Sequence, residues 1–593
     1  MSTSSTRTPR RRTVVALIVV LAVLIVFVIR LVDIQVVNAD DHVSDSLSMG
    51  IGVTRETYGT RGAIVDANGN TLAGSVLEYD AQLDPMLVGA VERTGPDGEK
   101  RTVEWPEIAA EIGAITGQSP EEIQQIVADA LAKNPESRYA KLAAGLSTEQ
   151  YRALAGLKLP FLAMYSHPAR TYPDGAVAGN LIGFMGADGE PLAGLELSEN
   201  ECLAATSGSV TAEQGVDGTI IPGTEREVPA VDGGTLALTI DRDLQWYMQQ
   251  LISEQTQNLG AQHGQIMVAE VATGEVKAAA EYPTVDPNDV DATAPEDRGS
   301  RIFKESFEPG STFKALSAAM LLDTGAADPF TTVTAASREH FDGGVRVTDS
   351  TSHPETLYTL TGVLIDSSNV GISKLAVQLP SQTRYDYLKR FGISEGSAIG
   401  FPGEVTGYVR DPAEWDAQTV YNVAFGQGVT TTLPELVGAY QAIANDGLRL
   451  PLKLIDACTR ADGTVEATDV GEPVRVVSEQ TATQLQQMLE NVLVQGGLAK
   501  SVAISGYRIA GKTGTGEIAE NGVYKDGLYF TTLIGFAPAD DPKYVVAVTL
   551  DQPTAVRSSA ANAPAFQKAM TQVLKTFRVT PSTSAAELLP RTG

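Results

Sequence analysis

Histidine and cysteine are scarce in this chain of 593 residues, which contains five of the first and two of the second. The histidines are scattered, without a His-Glu-x-x-His pattern and without the paired Cys/His spacing that holds zinc. The sequence therefore predicts no metal site, and no motif in it requires a cofactor.

Positive charge is also in short supply. Lys and Arg total 44 against 73 Asp and Glu, so the formal net charge is −29 at pH 7. A surface of this sign repels phosphate backbones, which argues against nucleic acid as a partner. Hydrophobic residues make up 43% of the chain and charged residues 20%, as in a globular protein. A chain of this length is expected to form two or three domains.

One apolar run stands apart from the rest of the chain. It extends from Thr13 to Ile29, at the short end of the ~17–25 residues that span a bilayer as a helix. Four arginines precede it and four aspartates follow it: Arg7, Arg10, Arg11 and Arg12, then Asp33, Asp40, Asp41 and Asp45. The positive-inside rule predicts a cytoplasmic N-terminus over residues 1–12, a transmembrane helix over 13–31 and an extracytoplasmic remainder.

A cleaved signal peptide is the alternative reading of this run, with a cleavage site at Val37-Asn38-Ala39. The apolar region of a signal peptide is usually only ~7–15 residues long, which favours an uncleaved anchor. Cys202 and Cys458 then both lie outside the membrane. An oxidising compartment permits a disulfide between them, and two buried free thiols are the other possibility.

The extracytoplasmic part divides into two domains and a tail. In the first domain, residues 32–230, helices are predicted to begin at capping boxes on Ser119 and Ser147. A Gly- and Pro-rich stretch from Ser207 to Gly234 marks the boundary. Residues 579–593 are polar and rich in Pro, Ser and Thr, which predicts an unstructured tail. Its last five residues, Leu589 to Gly593, resemble a sortase signal, but no hydrophobic segment follows, and we treat the match as coincidence.

The second domain, residues 231–578, has β-rich segments at both ends and helices between them. The predicted strands are 235–240, two that flank Thr273-Gly274, and the pair 528–536 and 544–550. A helix is expected from Asp241. This pattern predicts an α+β fold with a mostly antiparallel sheet.

Three short motifs in this domain carry the chemistry. The first is Ser311-Thr312-Phe313-Lys314, which follows the turn Pro309-Gly310 and begins an apolar run. Ser311 is therefore expected at a helix N-terminus, with Lys314 three residues on and on the same face. The helix dipole would favour a developing alkoxide, and a buried lysine near other cations can act as base toward the serine.

The second motif is Ser367-Ser368-Asn369, at the end of a helix-like segment. The hydroxyl of Ser367 would relay a proton to the leaving group. The side chain of Asn369 would orient Lys314 and bind a substrate amide.

The third motif is Lys512-Thr513-Gly514-Thr515, after a strand-like segment. On an edge strand, the lysine and the threonine hydroxyls would face a substrate carboxylate. Gly514 would leave room for a peptide to lie alongside as an added strand. The backbone N–H of Thr515 would be an oxyanion donor.

Each motif is weak alone, as Ser198-Glu199-Asn200 shows by matching the second motif upstream and out of order. Together and in order, the three supply a nucleophile, groups that activate it and a cationic edge. These are the parts that an acyl-transfer enzyme needs.

The three motifs resemble those of the class B penicillin-binding proteins, which are monofunctional peptidoglycan transpeptidases. The resemblance covers about residues 13–577 and includes these further segments: Arg61-Gly62, Asn68-Gly69, Leu72-Ala73, Tyr172-Pro173, Gly194-Leu195-Glu196 and Gly426-Gln427-Gly428. The surroundings of the first two motifs, together with Gly426-Gln427-Gly428, look most like the division-type subgroup. After Glu196 the sequence SENECLAATSGS departs from the family pattern, and this part is expected to be built differently.

The resemblance implies an α+β protein with one transmembrane helix, an elongated pedestal (dimerisation) domain over 32–230 and a β-lactamase-like transpeptidase domain over 231–578. Ser311 would attack the D-Ala-D-Ala bond of a peptidoglycan stem peptide, with Lys314 as base, and Ser367 would help the terminal D-Ala to leave. Lys512, Thr513 and Thr515 would hold the substrate carboxylate, and the amine of a neighbouring stem would resolve the acyl-enzyme. β-Lactams would acylate Ser311 in the same way.

The resemblance also implies protein partners in the membrane: a glycan polymerase of the shape-elongation-division group and other division proteins. No glycosyltransferase signature is found over residues 32–230, so the chain is not expected to polymerise glycan itself.

Other functions are compatible with the same motifs. An elongation-type transpeptidase would share all of them. In a D,D-carboxypeptidase or β-lactamase, water replaces the amine, but such hydrolases need no large pedestal. A β-lactam sensor would need further membrane spans or a cytoplasmic effector, and only about 12 residues precede the apolar run here. A division scaffold would not need an intact set of motif residues.

Overall fold

A long apolar helix occupies the predicted membrane span. The computed structural model of the chain describes residues 7–38, 52–94, 98–214, 220–520 and 523–593. An α-helix covers Arg7–Val32 and continues into a π-helical turn at Asp33–Val37. Among the described residues, only the segment Arg11–Val37 is long and apolar enough to span a bilayer. Ala39, Asp40, Asp41 and Asp45, on which the alternative cleavage site and the topology depend, lie outside the described residues.

Two compact units make up the chain, one formed by Met1–Thr60 with Ala205–Asp232 and the other by Arg61–Ala204 with Gly233–Gly593. The first unit contains an antiparallel three-stranded sheet, in the order Gly52–Thr57, Gly208–Glu213 and Arg226–Val228. The stretch that the sequence marks as a domain boundary therefore includes two paired strands as well as the passage between units.

The second unit has a seven-stranded sheet with residues from both sides of the predicted boundary at 230. Its order is Val465–Ala467, Ile455–Thr459, Thr235–Leu238, Ile64–Val65, Thr71–Leu83 and Ala140–Leu146, with Leu162–Thr171 on Thr71–Leu83. Residues 61–204 also contribute to the same hydrophobic core as the catalytic domain. The compact units thus divide the chain differently from the predicted limits of 32–230 and 231–578, which stay a prediction.

A smaller hydrophobic core lies within residues 81–161. Three helices accompany it: Trp105–Thr116, Pro120–Lys133 and Thr148–Gly156. Both predicted capping boxes are formed, by Ser119 with Glu122 and by Ser147 with Gln150. A short hairpin of Val91–Thr94 and Lys100–Val103 completes this region.

The pedestal motif residues meet around one buried carboxylate. The side chain of Glu196 has no exposed surface, and its two oxygens lie 2.7 Å from Arg61 Nε and 2.7 Å from Arg170 Nε. Arg170 also donates to the carbonyl oxygen of Gly62 at 2.7 Å. A buried charge is tolerated only when it is paired and hydrogen-bonded. The segments Arg61-Gly62 and Gly194-Leu195-Glu196 are therefore parts of one ion cluster.

The second predicted domain, which contains the three motifs, is built on a five-stranded antiparallel sheet. Its order is Val276–Tyr282, His263–Glu270, Tyr544–Asp551, Val523–Ala537 and Ala510–Glu520. The predicted strand pairs on either side of Thr273-Gly274 and before and after Pro538 are confirmed. Together with the surrounding helices, this sheet confirms the α+β fold class.

Helices precede this sheet in the sequence, lie between its strands and follow it. The longer ones are Arg242–Leu259, Phe313–Asp323, Asn369–Ala376, Ser381–Arg390, Leu433–Ala444, Glu479–Gln495 and Ala563–Thr576. Short helices are Gly179–Ile182, Gly194–Ser198, Asn200–Leu203, Arg301–Lys304, Leu360–Ile365, Ala417–Asn422 and Ala499–Val502. Four two-stranded ladders pair Ser306–Phe307 with Thr431–Thr432, Thr332–Ala335 with Thr356–Thr359, Arg338–Phe341 with Val345–Thr348, and Leu448–Arg449 with Val474–Arg475.

The prediction of an unstructured tail over residues 579–593 is wrong. The segment is irregular apart from a bridge between Thr592 and Tyr358, but it is bound along its length. Leu589 is 6% exposed and belongs to the main hydrophobic core. A composition poor in apolar residues shows that a segment cannot form a core of its own. It does not show whether the rest of the protein offers a surface to bind it.

Cys202 and Cys458 form a disulfide, which resolves the two possibilities that the sequence leaves open. Cys202 lies in the segment that departs from the family pattern, and Cys458 lies on the strand Ile455–Thr459. The bond joins positions 256 residues apart in sequence. It therefore links the segment before the catalytic domain to the catalytic domain itself.

We expect the double variant Cys202→Ala/Cys458→Ala to be less stable by about 2–5 kcal/mol, because a cross-link that closes a long loop restricts the unfolded chain. Urea titrations of the chain without its N-terminal apolar helix measure this. Thiol titration of the unfolded protein should find no free thiol until a reductant is added. Equal unfolding midpoints for parent and variant, with two free thiols in the parent, would contradict the disulfide.

Candidate active site

Ser311 lies where the sequence predicts it, at the start of a helix. A 3₁₀ turn over Gly310–Thr312 leads directly into the helix Phe313–Asp323. Two hydrogen bonds hold this turn in place: Gly310 N donates to the carbonyl oxygen of Gly426 at 3.0 Å, and Tyr440 Oη donates to that of Thr312 at 2.9 Å. The nucleophile is thus fixed from its backbone, which leaves its hydroxyl available.

Lys314 connects the first motif with the second. Its Nζ lies 2.9 Å from Ser311 Oγ, 3.1 Å from Ser367 Oγ and 2.7 Å from the carbonyl oxygen of Ser367. Lys314 has no exposed surface. Burial, reinforced by the charge of Lys512, holds the pKa of Lys314 well below its ordinary value. The neutral amine, which accepts a proton, is therefore favoured.

Ser367 occupies a backbone conformation that non-glycine residues seldom adopt. Its φ is +56°, in the left-handed region, directly after the helix Leu360–Ile365 and its C-cap Asp366. Such a conformation costs of order 1–3 kcal/mol and is found mostly at functional sites. The next residue, Ser368, caps the helix Asn369–Ala376 and donates to Asp349 at 2.7 Å. Asp349 was not among the predicted residues.

The role predicted for Asn369 needs correction. Its Nδ2 donates to the carbonyl oxygen of Thr348 at 2.9 Å. Within the described part of the chain, Lys314 is hydrogen-bonded to Ser311 and Ser367 and not to Asn369. Asn369 is the first residue of the helix that Ser368 caps, and its side chain is bonded to the end of the strand Val345–Thr348. Substrate binding by Asn369 stays a prediction.

Lys512 lies on the edge strand of the catalytic sheet, as predicted, but its amine is turned inward. Lys512 has no exposed surface, and its Nζ lies 3.0 Å from Ser367 Oγ and 3.3 Å from the carbonyl oxygen of Thr513. Burial lowers the pKa of Lys512 to about 7. Thr513 and Thr515 alternate with it and are half-buried. Their hydroxyls are better placed than the lysine to meet a substrate carboxylate directly.

The need for a glycine at position 514 comes from packing within the protein and not from the substrate. A Cβ at this position would lie 2.7 Å from the carbonyl oxygen of Pro309 and 2.9 Å from Thr312 Cγ2. The space beside Gly514 is therefore filled by the turn that carries Ser311. The predicted reason, room for an added peptide strand, does not apply on that side.

A second group of contacts borders the nucleophile. Glu308 Oε1 accepts from Gly428 N at 2.8 Å and from Tyr524 Oη at 2.9 Å. Gln427 donates to Glu517 at 2.8 Å. Burial raises the pKa of Glu308 to about 7. Tyr524 and Glu517 were missed by the sequence reasoning, since neither belongs to a motif.

The out-of-order match at Ser198-Glu199-Asn200 has a different use. Asn200 Oδ1 accepts from Arg61 at 2.6 Å, beside the buried Glu196. It is part of the ion cluster of the pedestal. The order of the motifs in the sequence therefore selected the triplet that lies beside Lys314 and Lys512.

The geometry leaves one amine between two hydroxyls. Lys314 can take the proton of Ser311 and pass it to Ser367, while Lys512 lies on the other side of the Ser367 hydroxyl. This arrangement suits attack by a serine on a carbonyl carbon and protonation of the group that leaves.

Comparisons with known proteins agree with this chemistry. The family model described as penicillin binding protein transpeptidase domain matches residues 264–571, and the penicillin-binding protein dimerisation domain matches residues 56–238. Penicillin-binding protein PbpB of Mycolicibacterium smegmatis is 34% identical over 94% of this chain and 89% of its own length. The chain belongs to the class B penicillin-binding proteins.

Two further proteins are similar to this class B penicillin-binding protein over most of the chain. Peptidoglycan D,D-transpeptidase FtsI of Escherichia coli is 30% identical over 92% of this chain and 88% of its own length. The crystal structure of penicillin binding protein 3 from Mycobacterium tuberculosis, complexed with aztreonam, is 28% identical with a TM-score of 0.68. The similarity covers 91% of this chain and 100% of the chain in that structure.

The pH dependence of acylation should report the buried base. Acylation of Ser311 needs neutral Lys314, which is present above the pKa of that amine and is lost as the pH falls through it. Because the pKa of Lys314 is lowered, we expect the acylation rate to reach its plateau at a pH well below about 10.4, which is the pKa of an exposed lysine. Stopped-flow acylation by a fluorescent penicillin measures this.

The variant Lys314→Arg is the matched control, because arginine keeps a positive charge and does not deprotonate. Above the pKa of Lys314 it should acylate about 10²–10⁴-fold more slowly than the parent, and the difference should shrink as the pH falls below that pKa. A parent rate that keeps rising up to pH 10 would show that Lys314 is not desolvated as described.

Proposed function

We propose that this penicillin-binding protein is a serine-type peptidoglycan D,D-transpeptidase that cross-links stem peptides through an acyl-enzyme on Ser311. The observation that carries the proposal is the buried amine of Lys314, within hydrogen-bonding distance of both Ser311 Oγ and Ser367 Oγ. A serine flanked by a lowered-pKa base and a second hydroxyl is an activated nucleophile with a proton path.

Acylation proceeds with three proton transfers. Lys314 takes the proton of Ser311 as Oγ attacks the penultimate D-Ala carbonyl carbon. The carbon–nitrogen bond then breaks, and the nitrogen of the terminal D-Ala takes a proton from Ser367, which is refilled from Lys314. Lys512, 3.0 Å from Ser367 Oγ, keeps this hydroxyl oriented. The products are an ester on Ser311 and free D-Ala.

Resolution of the ester reverses these roles. The amine of a second stem peptide attacks the ester carbonyl, loses a proton through Ser367 and Lys314, and Ser311 leaves as the hydroxyl. The hydroxyls of Thr513 and Thr515, at the exposed edge of the sheet, bind the carboxylate of the donor peptide. A β-lactam, whose amide and carboxylate resemble that peptide, acylates the same hydroxyl: its ring C–N bond breaks, and the protonated nitrogen stays attached to the ester formed on Ser311.

The localisation and protein partners extend this proposal. The helix Arg7–Val32 crosses the cell membrane once, with its arginines in the cytoplasm and the catalytic domain outside. A glycan polymerase of the shape-elongation-division group and other division proteins are the expected membrane partners. Similarity to a relative named FtsI over 92% of the chain supports septal cell-wall synthesis.

Transfer and hydrolysis are separable with a small donor. We expect the purified protein to convert a thioester analogue of the D-Ala-D-Ala terminus, with a D-amino acid as acceptor, mainly into the amide product of transfer. Ser311→Ala should lower this rate by at least about 10³-fold. Chromatographic separation of amide and acid products gives the ratio.

The variant Ser306→Ala is the matched control, since this serine is exposed and lies just before the nucleophile turn. It should behave as the parent. Hydrolysis in large excess over transfer would support a carboxypeptidase instead, and activity retained in Ser311→Ala would exclude the proposed nucleophile.

Depletion in the native organism tests the division role. Cells that lose a septal transpeptidase continue to elongate without completing septa, so we expect filaments. Complementation with the parent gene should restore division, and the Ser311→Ala gene should not. Rounded or bulging cells would place the protein in elongation.

A further inference from the structure

The last residues of the chain bind the helix that presents Ser367. We define the strap as residues 587–593, which the sequence analysis sets aside as part of a tail with a coincidental sortase-like motif. The strap is ordered by contacts with two helices and one strand. These contacts lead to the active site through Asp366, the residue directly before Ser367.

One side of the strap is held by a row of amide side chains on the helix Glu479–Gln495. Asn491 donates to the carbonyl oxygen of Glu587 at 2.9 Å and accepts from Leu589 N at 2.9 Å. Gln495 donates to the carbonyl oxygen of Leu589 at 2.9 Å. Asn491 has no exposed surface, and the strap supplies two of the hydrogen bonds that its buried amide makes. The site is therefore built for an extended peptide.

The other side of the strap holds the short helix Leu360–Ile365 at its start. Thr359 caps this helix, and its Oγ1 also donates to the carbonyl oxygen of Pro590 at 2.6 Å. Thr359 N donates to the carbonyl oxygen of Arg591 at 3.2 Å. A Cβ on Gly362 would overlap that same carbonyl oxygen, so only glycine lets the strap approach so closely.

The strap also holds the end of this helix. The guanidinium of Arg591 binds both carboxylate oxygens of Asp366, with Nε 2.7 Å from Oδ2. Arg591 is 49% exposed, so the ion pair contributes little to stability. A two-point contact with a planar fork does fix the orientation of the carboxylate. Asp366 is the C-cap of the helix, and Ser367 follows it in the left-handed conformation.

We propose that the strap positions Ser367 for proton transfer, and that Arg591 is a positioning residue that acts through Asp366. The strained turn at Ser367 is held on one side by Lys314 and Lys512, and the strap holds the helix that leads into it. The inference rests on the proposed function, in which Ser367 protonates the leaving group.

The leaving group provides a selective test. An amide donor with a D-Ala-D-Ala terminus needs a proton on its departing nitrogen, whereas a thioester donor releases a thiolate that needs none. We expect Arg591→Ala to slow acylation by the amide donor about tenfold, a fraction of the 10²–10⁴-fold that positioned proton transfer contributes. Acylation by the thioester should change by less than about twofold. Arg591→Lys, which keeps the charge but not the fork, should recover part of the amide rate.

Two leucines give a matched pair for the strap as a whole. Leu589 is 6% exposed and Leu588 is 64% exposed. Leu589→Ala should reproduce the selective loss with the amide donor, and Leu588→Ala should behave as the parent.

The outcomes separate the two proposals. A parent that the thioester does not acylate at Ser311 would contradict the proposed function. If the parent is acylated, and Arg591→Ala lowers the acylation rates with both donors equally or lowers neither, only the proposed role of the strap would be overturned.

Discussion

Two lysine side chains without exposed surface converge on the hydroxyl of one serine, and much of the catalytic domain serves to keep them there. Lys314 and Lys512 lie 3.1 and 3.0 Å from Ser367 Oγ. Removing an amine from water favours its neutral form, and a second amine nearby adds to the effect. The chemistry proposed for Ser311 depends on this desolvation, because an exposed lysine would stay protonated.

The surrounding structure meets that constraint from several directions. The turn that carries Ser311 packs against the edge strand where Gly514 has no side chain. Ser368 and Asp349 fix the backbone after Ser367, and the strap holds the helix before it. The disulfide joins Cys202, in the segment before the catalytic domain, to Cys458, on a strand of the seven-stranded sheet. Rigid support of this kind keeps reacting groups within the small tolerances that proton transfer requires.

The sequence predicted the fold class, the strand pairs of the catalytic sheet and the helix that starts near Ser311, since each depends on local patterns. The three motifs that it grouped do lie together in the structure. Contacts between residues far apart in the sequence could not be predicted from local patterns. Lys512 and Ser367 are 145 residues apart, and only packing turns that amine inward. Asn369 faces Thr348 because a new helix begins at Ser368. The strap was misjudged because its partners, Asn491 and Asp366, lie about 100 and 225 residues away.

The central claim is that Ser311 becomes covalently acylated with the help of the buried lysine pair. Peptide mapping by mass spectrometry after brief exposure of the parent to benzylpenicillin tests it most directly. We expect one adduct per chain, on the peptide that contains Ser311, and none in Lys314→Arg over the same time. An adduct on another residue, or equal labelling of that variant, would contradict it.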